Sequence, residues 1–445
     1  MQKTTATIEN TGLKANYTNN PEYFSVDEMA IYQLQKVKET LNYIGHKSPY
    51  YQKLFSTLNI DINSINSWEA FKNLPLTNKD ALQLNNDDFL CVSKDEIIDY
   101  SSTSGTLGQP VHILLNENDL NRLALNESAG FALAGVTKKD IIQLTTTIDK
   151  RFMAGLAYFS GARKTGAGII RNGSGFPEMQ WDTILRFKPT VLIAVPSFVL
   201  KLIDFAIDNK IEFQKTSIQK IICIGESIRN SDFSLNNLGQ RILSNWDVKL
   251  FSTYASTEMQ TCFTECEAGN GGHLLPDLIV PEILDENGAT CEPGAYGELT
   301  ITTLGIEGMP LLRYQTGDIC RLETSKCSCG RTTPRITPVS GRKKHMLKIK
   351  GTTVYPAMIF NVLDGIDAIE NYILEATSND IEGDELKILI GLKAVDAEIG
   401  IKIENKLMSA LRLKPSISFL PAAIIQKQLF KDGSRKPIRF IDNRK

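Results

Sequence analysis

The chain has 445 residues, 42% hydrophobic and 22% charged, with a formal net charge of −2, which is the make-up of a globular protein too long for one core. Neither that balance nor any Lys/Arg run points to nucleic acid, and no window approaches the roughly 18 apolar residues of a membrane span. The first ten residues lack the apolar core of a signal peptide, and eight cysteines in so long a chain read as reduced thiols, so a cytoplasmic location is expected.

Residues 1 to about 95 read as mainly helical, with Met29 to Ile44 carrying apolar residues at helical spacing. The segment Tyr100-Ser-Ser-Thr-Ser-Gly-Thr-Leu-Gly-Gln-Pro110 then breaks the pattern. Its hydroxyls compete for backbone hydrogen bonds and its glycines cost conformational entropy, so it makes a poor helix or strand interior. It suits an anion-binding loop, in which glycines admit close backbone approach and hydroxyls add donors. A Ser/Thr-rich surface turn is the plainer alternative at this point.

From about 96 to 260, short buried runs alternate with helical patterns: Ile141 to Leu144, Thr190 to Val195, and Lys220 to Ile224. This predicts a layered α/β architecture with a largely parallel sheet. Between about 260 and 340 the texture becomes β-rich, and from about 343 strand and helix alternate again in a stretch sized for a small α+β domain. The expected division is residues 1–341 and 342–445.

Several polar clusters follow predicted strands. Gly225, Glu226 and Ser227 come after Lys220 to Ile224, at a carboxyl end of the sheet where open α/β folds bind ligands. Tyr254-Ala-Ser-Thr-Glu258 offers an aromatic face, hydroxyls and a carboxylate, which together suit a nucleotide with Mg²⁺. Asp318 ends the run from Met309 and is suited to accept from ribose hydroxyls. Taken singly, each has a plain structural role as helix start, turn former or core aromatic. Cys266-x6-His273 and Cys327-Ser-Cys329 supply three thiols and an imidazole, the donor set of tetrahedral structural zinc. Their spacing is not that of a standard finger, Cys262 is a rival ligand, and unpaired thiols with a surface histidine are the alternative. Cys91, Cys223, Cys291 and Cys320 read as core or near-surface thiols.

In this order the clusters resemble the adenylate-forming acyl/aryl-CoA ligase superfamily, and within it the phenylacetate–CoA ligase family. Tyr254 to Glu258 is similar to Tyr-Gly-x-Ser/Thr-Glu, Met309 to Asp318 to Pro-Leu-Ile-Arg-Tyr-Arg-Thr-x-Asp, and Gly341 to Pro356 to Gly-Arg-x-Asp-Asp-Met-x4-Gly-x-Asn-Val-x-Pro. Pro49 to Phe55, Leu74 to Lys79 and Val195 to Leu200 also match in order. The resemblance implies two half-reactions, in which a carboxylate attacks the α-phosphate of ATP and the thiol of coenzyme A then attacks the acyl-AMP. It implies that Ser101, Ser102, Thr103, Ser104, Gly105, Thr106 and Gly108 hold the β- and γ-phosphates. Gly225, Glu226, Ser227, Tyr254, Ala255 and Ser256 would line the AMP site, Thr257 would bind the α-phosphate, and Glu258 would coordinate Mg²⁺. Asp318 would clamp the ribose beside Arg342. The C-terminal run around Lys436 resembles Gly-Lys-x-x-Arg-x-x-Asp-x-Arg, making Lys436 the catalytic lysine of a small domain that rotates about Arg342–Lys344 between steps.

A similar Cys/His set in the family implies zinc on Cys266, His273, Cys327 and Cys329. A small aromatic carboxylic acid is the implied substrate, with Arg151 to Ser160 contributing to its pocket, and a homodimer is the implied assembly. Loading of a carrier protein and a non-catalytic nucleotide binder are the alternatives. A P-loop kinase is disfavoured because the loop lacks Gly-x4-Gly-Lys-Ser/Thr. Three departures stand out: Gln109 where the phosphate loop commonly has lysine, Lys344 where the hinge commonly has aspartate, and Ala255 where glycine is usual.

Overall fold

The computed structural model describes residues 20–103, 110–349, 352–379, 383–392, 397–411, 415–430 and 437–444. Its centre is a nine-stranded sheet. Five strands run parallel, in the spatial order Gly168–Arg171, Ile141–Leu144, Val191–Ala194, Lys220–Cys223 and Lys249–Ser256. Val191–Ala194 is buried at every position, as expected for a strand covered on both faces. Helices Met153–Thr165, Pro177–Phe187, Pro196–Asp208 and Asn237–Asn245 carry the chain back between strands. Pro177 and Pro196 open their helices, where the missing N–H costs nothing and the fixed φ suits the first turn. The strand order reverses beside Ile141–Leu144, which sets up a crevice at the carboxyl ends of the strands.

The β-rich stretch divides between two sheets. Thr261–Glu265 turns back antiparallel on Lys249–Ser256, and Gly272–His273, Arg335–Ile336 and Leu322–Glu323 continue the same nine-stranded sheet. A separate antiparallel sheet holds Ile279–Leu284, Gly297–Thr303, Tyr314–Cys320 and Gly341–Arg342. The texture change near residue 260 is therefore a change of strand direction within one sheet.

The N-terminal helices are Val26–Lys47, Pro49–Thr57, Trp68–Lys72 and Lys79–Leu84, the first started by a Ser25/Glu28 capping box. Their apolar faces, including Val37, Leu41, Ile44, Tyr51 and Phe55, join one core with Val111, Ile113, Leu299 and Ile301.

One expectation is corrected here. Asp99–Ser102, which runs into the hydroxyl-rich segment, is a strand paired antiparallel with His112–Leu115. Pairing overrides propensity because the hydroxyls are satisfied on the spot. Ser101 Oγ donates to Asp99 at 2.7 Å, and Thr103 Oγ1 accepts from Val111 N at 3.1 Å.

A six-stranded sheet makes a separate C-terminal unit: Leu347–Ile349, Thr352–Val354, Ile369–Asn379, Gly383–Leu392, Ser416–Leu420 and Phe440–Asp442. Helices Pro356–Asp364, Ala397–Leu411 and Ala422–Leu429 pack on it. Leu347, Ile359, Leu374, Ile388 and Leu407 belong to its own core. At the junction, a Cβ on Gly341 would lie 2.3 Å from the Tyr355 ring, so only glycine admits that ring.

Candidate active site and metal centre

Two strand ends and one sheet edge bring the predicted nucleotide residues together. Lys220–Cys223 ends just before Gly225, which takes φ +75° and so needs glycine to turn the chain over the sheet edge. Glu226 follows, half-buried. Its carboxylate accepts from Ser197 N at 2.9 Å and from Ser197 Oγ at 3.0 Å, in the first turn of helix Pro196–Asp208. An anion is favoured at that helix end. Arg439 Nη2 of the C-terminal unit reaches the same carboxylate at 3.2 Å. The Glu226 side chain is thus engaged by protein, and what this loop offers a ligand is backbone. Ser227 Oγ caps its own turn, donating to Arg229 O at 2.9 Å.

Tyr254 and Ser256 end the next strand, with Ala255 exposed between them. Tyr254 Oη donates to Asp318 Oδ2 at 2.5 Å, and Arg342 Nε donates to Asp318 Oδ1 at 3.1 Å. Asp318 faces Arg342 because their strands pair antiparallel, residue against residue. Burial and the Asp318 charge push the Tyr254 phenol well above its ordinary value, so it stays a donor. The Asp318 charge raises the Arg342 guanidinium in turn. Asp318 is buried and Arg342 is 57% exposed, so the pair opens on one side to solvent.

Thr257 and Glu258 lie in the turn after this strand, both partly exposed. Among the described residues, Glu258 pairs with Lys79 Nζ at 3.8 Å, beyond hydrogen-bond distance. A carboxylate held so loosely can bind Mg²⁺, which takes one or two carboxylates together with phosphate oxygens and water. Lys79 reaches it because Leu74 to Lys79 is docked along the Asp318 strand. Thr77 N donates to Arg313 O, and Gln315 N donates to Thr77 O.

Ser101, Ser102 and Thr103 are buried at the base of the hairpin that leads to the predicted phosphate loop. Ser102 N donates to Arg151 O, so this hairpin abuts the start of helix Met153–Thr165, within the predicted acid-pocket segment. Ser104, Gly105, Thr106, Gly108, Gln109 and the proposed lysine Lys436 lie outside the described residues. Sequence reasoning attached no role to Arg439, Lys79 or Ser197. All three stand inside the matched motifs, and that was their available signal.

The metal set converges from three elements of the central sheet's antiparallel edge. Cys266 follows Thr261–Glu265, His273 lies in Gly272–His273, and Cys327 and Cys329 sit in a turn closed by Gly330 at φ +94°. Their ligand atoms all lie within 4.8 Å of one another. Cys266 Sγ is 3.6 Å from Cys327 Sγ, and Cys329 Sγ is 3.6 Å from His273 Nε2. Ligands on a tetrahedral zinc ion stand about 3.3–3.8 Å apart, and these two separations match that spacing. Burial, with Arg331 and Arg335 nearby, pushes His273 down to about 3, which keeps the imidazole neutral. His273 Nδ1 lies 3.0 Å from Thr333 Oγ1, and a proton there leaves Nε2 facing the thiols. Burial pushes Cys266 up to about 12. Burial also raises Cys329, but hydrogen bonds from Arg331 and the neighbouring thiols outweigh it and leave that thiol lowered. Cys262 is not in the set; its sulfur accepts from Asn126 at 3.1 Å in a different part of the core. Cys91, Cys223 and Cys320 are buried and Cys291 half-buried, as expected.

The AMP-binding enzyme family model matches residues 34–307. Phenylacetate-coenzyme A ligase of Thermus thermophilus is 27% identical over 373 residues, 81% of this chain and 81% of that protein. The enzyme of the same name from Escherichia coli is 27% identical over 343 residues, 76% of each chain. Among solved structures, 2-hydroxyisobutyryl-CoA ligase in the postadenylation state with 2-HIB-AMP superposes with TM-score 0.83 at 20% identity, covering 95% of this chain and 91% of that one. The same ligase in the thioesterification state, with 2-HIB-AMP and CoA, gives 0.69 at 21% identity, covering 96% and 92%. The chain belongs to the AMP-binding enzyme family, in its branch of AMP-forming acid–CoA ligases.

Proposed function

We propose that this acid–CoA ligase activates a small aromatic, phenylacetate-like carboxylic acid as its acyl adenylate and passes the acyl group to coenzyme A. The observation that carries the nucleotide side is the trio Tyr254, Asp318 and Arg342 beside an available Glu258 carboxylate at the carboxyl edge of the sheet. In the first half-reaction a carboxylate oxygen of the acid bonds to the α-phosphorus of ATP, and pyrophosphate leaves. In the second, the thiol sulfur bonds to the acyl carbon, AMP leaves, and the thiol proton is lost. The aromatic acid is favoured by the names of the two curated relatives.

Asp318 accepts from ribose hydroxyls while Arg342 steadies its other oxygen. Thr257 donates to the α-phosphate, and the hairpin from Ser101 to Thr103 carries the phosphate loop. Mg²⁺ held by Glu258 would neutralise phosphate charge as it builds on the leaving group. Lys436 adds a cation at the α-phosphate, where preorganised charge acts most strongly. We place the division between the two units at residues 341 and 342. Structural zinc on Cys266, His273, Cys327 and Cys329 would tie Cys327–Cys329 to the sheet edge.

Exchange of labelled pyrophosphate into ATP, run against a panel of aromatic and aliphatic acids, tests this reading. Exchange dependent on an aromatic acid, followed by its CoA ester when CoA is added, is the expected result. Exchange without a CoA ester would redirect the proposal to a carrier-protein acceptor, and no exchange with any acid would reject it.

A further inference from the structure

Among the described residues, helices Asn237–Asn245 and Pro356–Asp364 join the C-terminal unit to the rest of the chain through polar contacts. Asn237 N donates to Asn361 Oδ1 at 3.2 Å and its Nδ2 to Asn361 O at 2.6 Å. Arg241 donates to Asp364 O at 2.8 Å and pairs with Asp367 at 3.1 Å. The apolar core of the unit is its own. A polar interface of this kind is weak by itself and needs a specific anchor to choose one arrangement.

Arg439 has the geometry of that anchor. Within its own unit it is held on three sides. Nη1 is 3.1 Å from Tyr372 Oη and 3.5 Å from Asp364 Oδ2, and the guanidinium lies 5.2 Å from the Tyr372 ring centroid. Tyr372 Oη donates to Asp364 Oδ1 at 2.7 Å and locks the cradle. The other terminal nitrogen crosses the interface to Glu226 Oε1 at 3.2 Å. Glu226 is itself fixed by Ser197, so each partner is rigid before they meet. All three charged side chains are less than a fifth exposed, where a paired charge costs most to strand. Lys436 precedes Arg439 by three positions in the sequence.

We infer that Arg439 is a positioning residue for the adenylation step: by gripping Glu226 on the strand-end loop, it fixes the C-terminal unit, whose sequence carries Lys436, against the nucleotide side of the central sheet. The inference rests on the acid–CoA ligase reading. The thioester step makes no new bond to phosphorus and does not need that lysine, so loss of the anchor separates the two half-reactions.

The test uses the full-length protein and three readouts. These are acid-dependent pyrophosphate exchange, CoA ester formed from supplied acyl-AMP, and amide hydrogen exchange of helices Asn237–Asn245 and Pro356–Asp364. Arg439→Gln should slow pyrophosphate exchange about 10- to 100-fold, leave the thioester step within about twofold, and speed amide exchange in both helices. Arg439→Lys, which keeps the charge if the Gln variant does not fold, should recover most of the first activity and of the protection. Equal loss in both half-reactions, or unchanged amide exchange in the two helices, would overturn the inference. If the wild-type protein exchanges no pyrophosphate, the ligase reading fails. The amide-exchange result then still decides whether Arg439 is the anchor.

Discussion

Tyr254 and Asp318 meet through a 2.5 Å hydrogen bond whose acceptor is also gripped by Arg342. The pair spans two sheets, since Tyr254 ends a strand of the nine-stranded sheet and Asp318 lies on the four-stranded one. Held from both sides, the carboxylate proposed to bind ribose cannot swing away from its ligand. Tyr254→Phe should therefore raise KM for ATP by roughly 5- to 30-fold with a smaller change in kcat, the loss of about 1–2 kcal/mol of one hydrogen bond. Initial-rate kinetics against ATP measures it. Asp318→Asn should cost more, because it also leaves the Arg342 charge unpaired.

Among the described residues, Glu258 has Lys79, at 3.8 Å, as its one ion-pair partner. Glu258→Gln keeps the shape and removes the charge. The expected result is a shift of the Mg²⁺ requirement to concentrations at least about tenfold higher, with adenylation slowed by two orders of magnitude or so. A Mg²⁺ titration of pyrophosphate exchange reads both effects.

Cys266, His273, Cys327 and Cys329 converge within 4.8 Å, with two pairs at 3.6 Å. Metal analysis of purified protein should find close to one zinc per chain, and Cys327→Ser or His273→Ala should abolish it. Arg331, between the metal turn and the N-terminal segment, pairs with Glu22 at 2.8 Å. Chelation should therefore expose the region around residue 22 to proteolysis as well as lower the melting temperature. Fully stable metal-free protein would reject the assignment.

Glu127 lies buried in helix Glu117–Leu133, with Asn126 Nδ2 at 3.2 Å and no cation on it. Burial pushes its carboxyl up to about 7 from 4.5. The folded chain then holds a proton that the unfolded chain releases near pH 4.5. The corresponding stability is fully present below that pH and is lost as pH rises through 7, up to about 3 kcal/mol in all. Glu127→Gln should flatten the stability curve between about pH 5 and 8, as read by urea denaturation at a series of pH values.

Much of this architecture was legible in the sequence. The runs at Ile141, Val191 and Lys220 show as strands because parallel strands are apolar on both faces. The polar residues that follow them mark the carboxyl edge. The Cys/His set was legible as a donor set for tetrahedral zinc and through its resemblance to the family's set, with Cys262 left as a rival. Tyr100–Ser102, read as a poor strand interior, is a strand because hairpin pairing with His112–Leu114 overrules local propensity. The Glu226–Arg439 contact was hidden for a related reason. It depends on how two separately cored units meet, and no period or spacing in the chain encodes that.

The most direct test of the central claim follows oxygen. An acid labelled with ¹⁸O in both carboxylate oxygens is incubated with the protein, ATP, Mg²⁺ and CoA, and the nucleotide product is weighed by mass spectrometry. Attack of the carboxylate on the α-phosphorus predicts AMP carrying one ¹⁸O, alongside the CoA ester. Unlabelled AMP, or ADP in its place, would contradict the account.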